Sequence, residues 1–303
     1  MRRLSHTPPE AETSETVGAA IERCARSLAR AHVHFGHGTD NARDEAAELV
    51  FYAARLPHAQ GSAVYGEPLS RRHRTLIDAL LEERIKRRVP LAYLTHRAFF
   101  AGLELYVDER VIVPRSPIAE LIAARFAPWI PSRGVRRILD MGTGSGAIAL
   151  ACAAAFPRAR VDAVDISTGA LAVTRRNVRR LKLGDRVKVL RSNHFSALPP
   201  CRYHIIVSNP PYVGRVEMRA LPREYAFEPR IALASGPDGL DSVRAIFAAA
   251  PRYLADQGIL VVEVGNTERA LMRAFPRLPF IWPEIAIGGG GVFVLRAADL
   301  KEK

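Results

Sequence analysis

Two apolar rhythms divide the chain. From 16 to 90 the segments VGAAIERCARSLARAHVHF, DEAAELVFYAARL and SRRHRTLIDALLEERIKRR place apolar residues three and four apart, the spacing that gives a helix one buried stripe. Thr39 or Asp40, and Ser70, stand where N-caps belong, so a small helical domain is expected, closed by Pro90. From 91 to 115, LAYLTHRAFFAGLELYVDERVIVPR alternates apolar and polar positions around Gly102 and Asp108–Arg110, which predicts a β-hairpin linker. Residues 1–15 carry no apolar period and are expected as a disordered tail.

From 116 to 303 the rhythm becomes strand, turn, helix, repeated. RRILDMG, ARVDAVDIS, RVKVLRSN, HIIVSN and GILVVEVG read as strands. GAIALACAAAF, GALAVTRRNVRRLK and LDSVRAIFAAAPRYL read as helices. Short β-rich runs alternating with helices predict a doubly wound, mostly parallel α/β sheet, whose ligands bind at the carboxyl ends of the strands.

Composition narrows the setting. Among 303 residues, 44 Lys and Arg face 31 Asp and Glu, a formal charge of +13 that favours polyanionic surroundings such as ribosomal or nucleic-acid material. Basic residues on solvated helix faces, as in RHRTLIDALLEERIKRR, explain part of that excess without any RNA. Cys24, Cys152 and Cys201 form no CxxC pair, which excludes a disulfide framework and a structural zinc site. His32, His34 and His37 have no carboxylate or cysteine at ligand spacing, so no metal is expected. The N-terminus has no apolar signal core, and the most hydrophobic helix candidate, Ala147–Phe156, is far short of a bilayer span, so a soluble cytoplasmic protein is expected, with no membrane partner.

DMGTGSGA at 140–147 follows a strand and opens a helix. Gly142, Gly144 and Gly146 let the backbone turn sharply and approach a ligand, and Asp165 closes the next strand, where an acid can accept hydrogen bonds from a ribose diol. The same residues satisfy the dinucleotide fingerprint, with the acid 23 residues after the first glycine, so they specify an adenosine-type cofactor without saying which. Asp140 tilts the choice toward S-adenosylmethionine, since a carboxylate there suits an amino group and repels a pyrophosphate.

SNPPY at 208–212 tilts it further. Each proline holds the residue before it extended, so the Asn209 side chain and the Pro210 carbonyl project at a strand end beside the cofactor crevice, with Tyr212 supplying a flat ring. Two acceptors and a ring suit a planar NH2 group conjugated to a carbonyl or an aromatic system. Gripping that group would orient its nitrogen toward a sulfonium methyl and stabilise the charge that develops there.

On these motifs the chain resembles the class I methyltransferases carrying Asn-Pro-Pro-Tyr, and within them the protein glutamine-N5 methyltransferases, over nearly its whole length. The resemblance implies a seven-stranded Rossmann-like sheet behind a helical N-terminal domain, with S-adenosylmethionine as methyl donor and S-adenosylhomocysteine as product. It implies catalytic roles for Asn209, Pro210 and Tyr212, and substrate contacts at Asn209, Pro210, Pro211, Tyr212 and Arg115. Cofactor contacts are implied at Gly142, Gly144, Gly146 and Asp165, with Asp140, Thr143, Asn193, His194 and Asn209 completing the set. Where the family commonly has an acid after the third strand, this chain has Asn193, which can accept from an adenine amino group without charge, and weaker cofactor binding is expected.

PRSPIAEL at 114–121, with GHGTDNARDEA and LASGPDGL, resembles the branch that methylates the third protein of the large ribosomal subunit; release-factor enzymes usually carry Pro-Arg-Pro-(Asp/Glu)-Thr-Glu there. Arg115 and Glu120 keep the shared skeleton and are expected at the pocket mouth. The partner implied is that ribosomal protein, free or in an assembling particle, with non-specific rRNA contact. The alternatives are a release-factor enzyme, an adenine-N6 nucleic-acid methyltransferase, which lacks any visible recognition insert here, and a non-catalytic ribosome-assembly factor.

Overall fold

The computed structural model describes residues 15–286 and 290–300, so the expected tail at 1–15 lies outside the described residues except for Glu15. Backbone contacts divide the chain into two units, Met1–Leu91 and Ala92–Lys303.

The first unit is built on α1 (Val17–Arg30), α2 (Ala42–Ala54) and α3 (Arg71–Arg87). Ser70 caps α3 as expected, its hydroxyl accepting from the His73 N–H. The cap of α2 is Asn41, one residue beyond the expected positions, because its amide oxygen reaches the N–H groups of both Arg43 and Asp44. α1 ends earlier than its apolar period suggests, and His32, with φ at 48°, turns the chain into the loop that carries His34 and His37. Val17, Ile21, Leu28, Leu49, Val50 and Ile77 form the core. One basic residue departs from the solvated-face reading: Arg84 is fully buried, donating to Glu45 Oε1 at 2.6 Å and to the His34 carbonyl at 2.7 Å. Burial of a guanidinium is tolerated only with such partners.

The second unit begins within α4 (Leu91–Thr95), a helix that replaces the start of the expected hairpin. The hairpin itself is β1 (Ala98–Phe100) and β2 (Leu103–Leu105), antiparallel around Ala101 and Gly102, both at positive φ. Residues 106–117 form an irregular strap leading to α5 (Ile118–Ala123), which the strand-turn-helix reading passed over. Then come β3 (Arg137–Met141), α6 (Ala147–Ala155), β4 (Arg160–Asp165), α7 (Thr168–Arg180), β5 (Val187–Arg191) and β6 (Tyr203–Ser208). α8 (Asp241–Tyr253), β7 (Leu254–Glu263), α9 (Glu268–Ala274) and β8 (Val292–Arg296) complete the unit.

The sheet order is β5-β4-β3-β6-β7-β8, parallel except for β8. Successive residues of the central strands serve opposite faces. Ile138, Ile205, Val207 and Val261 pack with α5 and α6, whereas Leu139, Ile206, Leu260 and Val262 pack with α8 and α9. Burial on both faces explains why these strands read as unbroken apolar runs. Among the described residues the sheet has six strands where seven were expected. The seventh position is one antiparallel bridge, Ile281 to Val294, set between Pro279 and Pro283, which cannot donate to a ladder.

The chain runs outward from β3 to β5 on one side, then returns to β6 and continues outward on the other. That reversal leaves a crevice between the carboxyl ends of β3 and β6, the position where open α/β sheets bind ligands.

Candidate active site

Met141 and Ser208 are the last paired residues of β3 and β6, and the Ser208 hydroxyl donates to the Met141 carbonyl at 2.7 Å. This clamp fixes the starting points of the two loops that form the site.

The glycine loop folds over the end of β4. Gly142 and Thr143 N–H donate to the Val164 carbonyl at 2.8 and 2.9 Å, and Gly144 N–H donates to Asp165 Oδ2 at 3.0 Å. Gly144 has φ at 55°, and a Cβ there would meet no atom within 4 Å: the loop leaves open space at this point. Gly146, at φ 86°, faces inward, where a Cβ would lie 2.9 Å from Thr174 Cγ2, so it serves the close approach of α7.

A cavity of about 250 Å³ opens on this loop, lined among others by Gly142, Gly144, Asp165, Asn193, His194, Asn209, Pro210 and Pro211. Asp165 is partly exposed in it, with its second oxygen accepting from Ser167 N–H at 2.8 Å, and burial pushes its carboxyl above the ordinary range. Open space at Gly144 beside a carboxylate suits a nucleoside whose diol reaches an acceptor, so these residues fit an adenosine-type cofactor.

Three residues expected at the cofactor lie behind the wall. Asp140 is fully buried, accepting on Oδ2 from the Thr143 hydroxyl at 2.6 Å and from Ala149 N–H at 3.0 Å, and burial pushes it up to about 7. Thr143 is buried with it, and Gly146 packs on α7. The reason is local: the first turn of α6 needs an acceptor for its free N–H groups, and Asp140 supplies one. Among the described residues Asp140 Oδ1 has no hydrogen-bond partner. Asn193 does line the cavity, but its Oδ1 lies 2.9 Å from His194 Nδ1, and burial holds His194 below the usual imidazole range.

A second cavity, about 130 Å³, is lined by Arg115, Tyr212, Val213, Glu217, Leu221 and Tyr225 among others. Asn209 and Pro210 line both cavities, as do Ile112 and Ala232. Neither the Asn209 side chain nor the Pro210 carbonyl takes part in a hydrogen bond among the described residues.

The tyrosine is closely held. Its hydroxyl donates to Glu263 Oε1 at 3.1 Å, and its ring lies against Gly265, where a Cβ would come within 2.6 Å of Cε2. Arg115 donates through Nη1 and Nη2 to the two oxygens of Glu228, and its guanidinium sits 5.3 Å from the Tyr225 ring centre. The hydrogen bonds raise the arginine further against the desolvation that burial imposes. Glu120, expected beside Arg115, instead accepts from Ala286 N–H and does not line either cavity.

Sequence reasoning passed over Glu263, Ser116 and Glu228. The usable signal for Glu263 was an acid closing the apolar run GILVVEVG, at the carboxyl end of a parallel strand.

The doubly wound sheet, the open glycine loop and the cavity at the switch point define an α/β protein with a site for an adenosine-type cofactor. A family model described as Methyltransferase small domain matches residues 123–223. The ribosomal protein uL3 glutamine methyltransferase of Xylella fastidiosa is 45% identical over 297 residues, covering 98% of this chain and 95% of the relative. That of Xanthomonas campestris pv. campestris is 43% identical over 294 residues, covering 97% and 95%. A solved methyltransferase from Pyrococcus furiosus aligns over 65% of this chain and 89% of its own at 18% identity, with a TM-score of 0.47. The chain belongs to the family of ribosomal protein uL3 glutamine methyltransferases.

Proposed function

We propose that the protein transfers a methyl group from S-adenosylmethionine to the side-chain amide nitrogen of a glutamine in ribosomal protein uL3. The observation that carries this is the Asn209–Pro210 wall, which faces both cavities and offers two acceptors without partners of their own. S-adenosylmethionine supplies a sulfonium methyl: the carbon–sulfur bond breaks toward sulfur, the nitrogen forms the new bond, and a proton leaves that nitrogen to solvent.

Asn209 Oδ1 and the Pro210 carbonyl each take one amide N–H, holding the nitrogen lone pair toward the cofactor cavity and stabilising its developing charge. Pro211 and Tyr212 bound the planar face of the amide, and Arg115 closes the cavity beside them. Gly142, Gly144 and Asp165 hold the adenosine and ribose, with Asn193 and His194 at the adenine end.

Residues 116–303 are the methyltransferase domain in this reading, 16–90 a helical domain and 91–115 a linker. The formal charge of +13 supports an encounter with uL3 in an assembling particle, with non-specific rRNA contact. The proposed place of action is the cytoplasm, where uL3 is made; no helix among the described residues is long and apolar enough to cross a membrane.

The test incubates the protein with methyl-labelled S-adenosylmethionine and, in parallel, under-methylated ribosomal material, release factors and DNA, then locates the label by peptide mass spectrometry. Label on a uL3 glutamine amide is expected. Label on a release factor or on adenine would overturn the substrate.

A further inference from the structure

Glu263 is the last residue of β7 and is 4% exposed. Two hydroxyls from separate parts of the chain converge on its carboxylate. Tyr212 Oη donates to Oε1 at 3.1 Å, and Ser116 Oγ donates to Oε2 at 2.5 Å. Ser116 directly follows Arg115 on the strap, so one carboxylate ties together two walls of the smaller cavity.

Glycines leave the tyrosine little freedom elsewhere. A Cβ at Gly239 would lie 2.2 Å from the Tyr212 carbonyl oxygen, and one at Gly265 would strike the ring. Backbone and ring face are thus bounded by close packing, and the hydroxyl end is bounded by Glu263. Burial pushes the Glu263 carboxyl up to about 7, while the hydrogen bonds from Ser116 and Tyr212 and the nearby Arg115 guanidinium favour its charged form.

We propose that Glu263 is a positioning residue for methyl transfer: it fixes the Tyr212 ring and, through Ser116, the strap that carries Arg115, so that the substrate amide meets the methyl donor in line. The inference rests on the glutamine-methyltransferase reading of this site. Glu263 lines neither cavity, so it acts through Tyr212 and Ser116 and touches no reactant. A glutamine at 263 keeps the shape but offers one carbonyl acceptor and one NH2 group, so one of the two hydroxyls must turn from donor to acceptor and both lose their bond to a charge.

The test uses the full chain with Glu263→Gln, Tyr212→Phe, their double variant and Ser116→Ala. Glu263→Gln is expected to lower kcat roughly tenfold or more, with KM for uL3 and the affinity for S-adenosylmethionine within about threefold of the parent, as misplacement at the reacting centre does. In the Tyr212→Phe background, which has already lost the hydroxyl, the same substitution should cost far less. An unchanged kcat for Glu263→Gln, or an equal loss in both backgrounds, would overturn the proposal. If Glu263→Gln does not fold, Ser116→Ala gives the same decision, with a lowered kcat expected and parental kcat overturning.

A second readout needs no substrate. In protein carrying isotope-labelled tyrosine, the Cζ resonance of Tyr212 should move in Glu263→Gln, and an unmoved resonance overturns the tie. Absence of label on any glutamine with the parent protein would instead remove the reading of the site, leaving the resonance to decide the role of Glu263.

Discussion

Glu228 holds Arg115 by both arms of its guanidinium, at 2.5 and 2.6 Å, and one of the same carboxylate oxygens accepts the Val113 N–H at 3.0 Å. The Glu228 side chain is fully buried, and the arginine keeps only a partial view of solvent. An anion that reaches 115 residues back along the chain therefore fixes the strap and sets the charge at the mouth of the smaller cavity.

Removing one partner of a buried pair strands the other. Glu228→Ala should lower the unfolding free energy by about 3 kcal/mol, the low end for such pairs because Arg115 retains some hydration. Denaturant unfolding measures it, and a loss below about 1 kcal/mol would mean that the pair behaves as a surface contact.

Asn209→Ala removes one of the two acceptors that the proposed function sets against the substrate amide. The loss expected in kcat is about a hundredfold to a thousandfold, as for deletion of one preorganised polar contact in other transfer enzymes. Calorimetric binding of S-adenosylmethionine should change much less. Retention of parental kcat would exclude the amide-gripping role of Asn209.

Gly265→Ala places a methyl group where the Tyr212 ring now lies, at a backbone φ of 47° that costs a side chain roughly 1–2 kcal/mol. Turnover should collapse while cofactor affinity holds, since Gly265 does not line the larger cavity. Parental turnover in this variant would show that the tyrosine ring can move without consequence.

Asn193→Asp places a charge where the proposed function sets the adenine. Tighter S-adenosylmethionine binding is expected, because a carboxylate can accept from both the adenine amino group and the neighbouring His194 ring. Unchanged affinity in a titration would remove Asn193 from the cofactor contacts.

Asp140 makes stability depend on pH. Well below pH 3.8 it is protonated in both states. As pH rises the unfolded chain ionises near the ordinary value of 3.8, while burial delays the folded protein until about 7, so stability falls with rising pH across that window. Asp165 and Glu263, also raised by burial, act in the same direction. Thermal melts at roughly pH 4 and pH 7, near the ends of that window, should differ less in Asp140→Asn than in the parent, and an equal difference would contradict the assignment.

The sheet was legible because its central strands are buried on both faces, and such strands print as apolar runs separated by turn residues. The glycine loop and SNPPY were legible because glycine and proline constrain the backbone wherever they stand. α5 was missed because six residues span too little of a helical period to register, and β8 because it runs antiparallel beyond the repeating pattern. The inward turn of Asp140 was invisible for another reason: a sequence places an acid beside a loop without saying which side of the wall it occupies. Glu263 and Glu228 were hidden because their meaning lies in partners 51 and 113 residues away.

The wall formed by Asn209 and Pro210 carries a kinetic consequence. In the proposed function donor and acceptor occupy adjoining cavities that share Asn209, Pro210, Ile112 and Ala232, so neither must depart before the other arrives. No side chain on the wall is a nucleophile able to carry the methyl group between them. Initial-rate plots against the two substrates should therefore intersect instead of running parallel, the signature of both reactants being held at once.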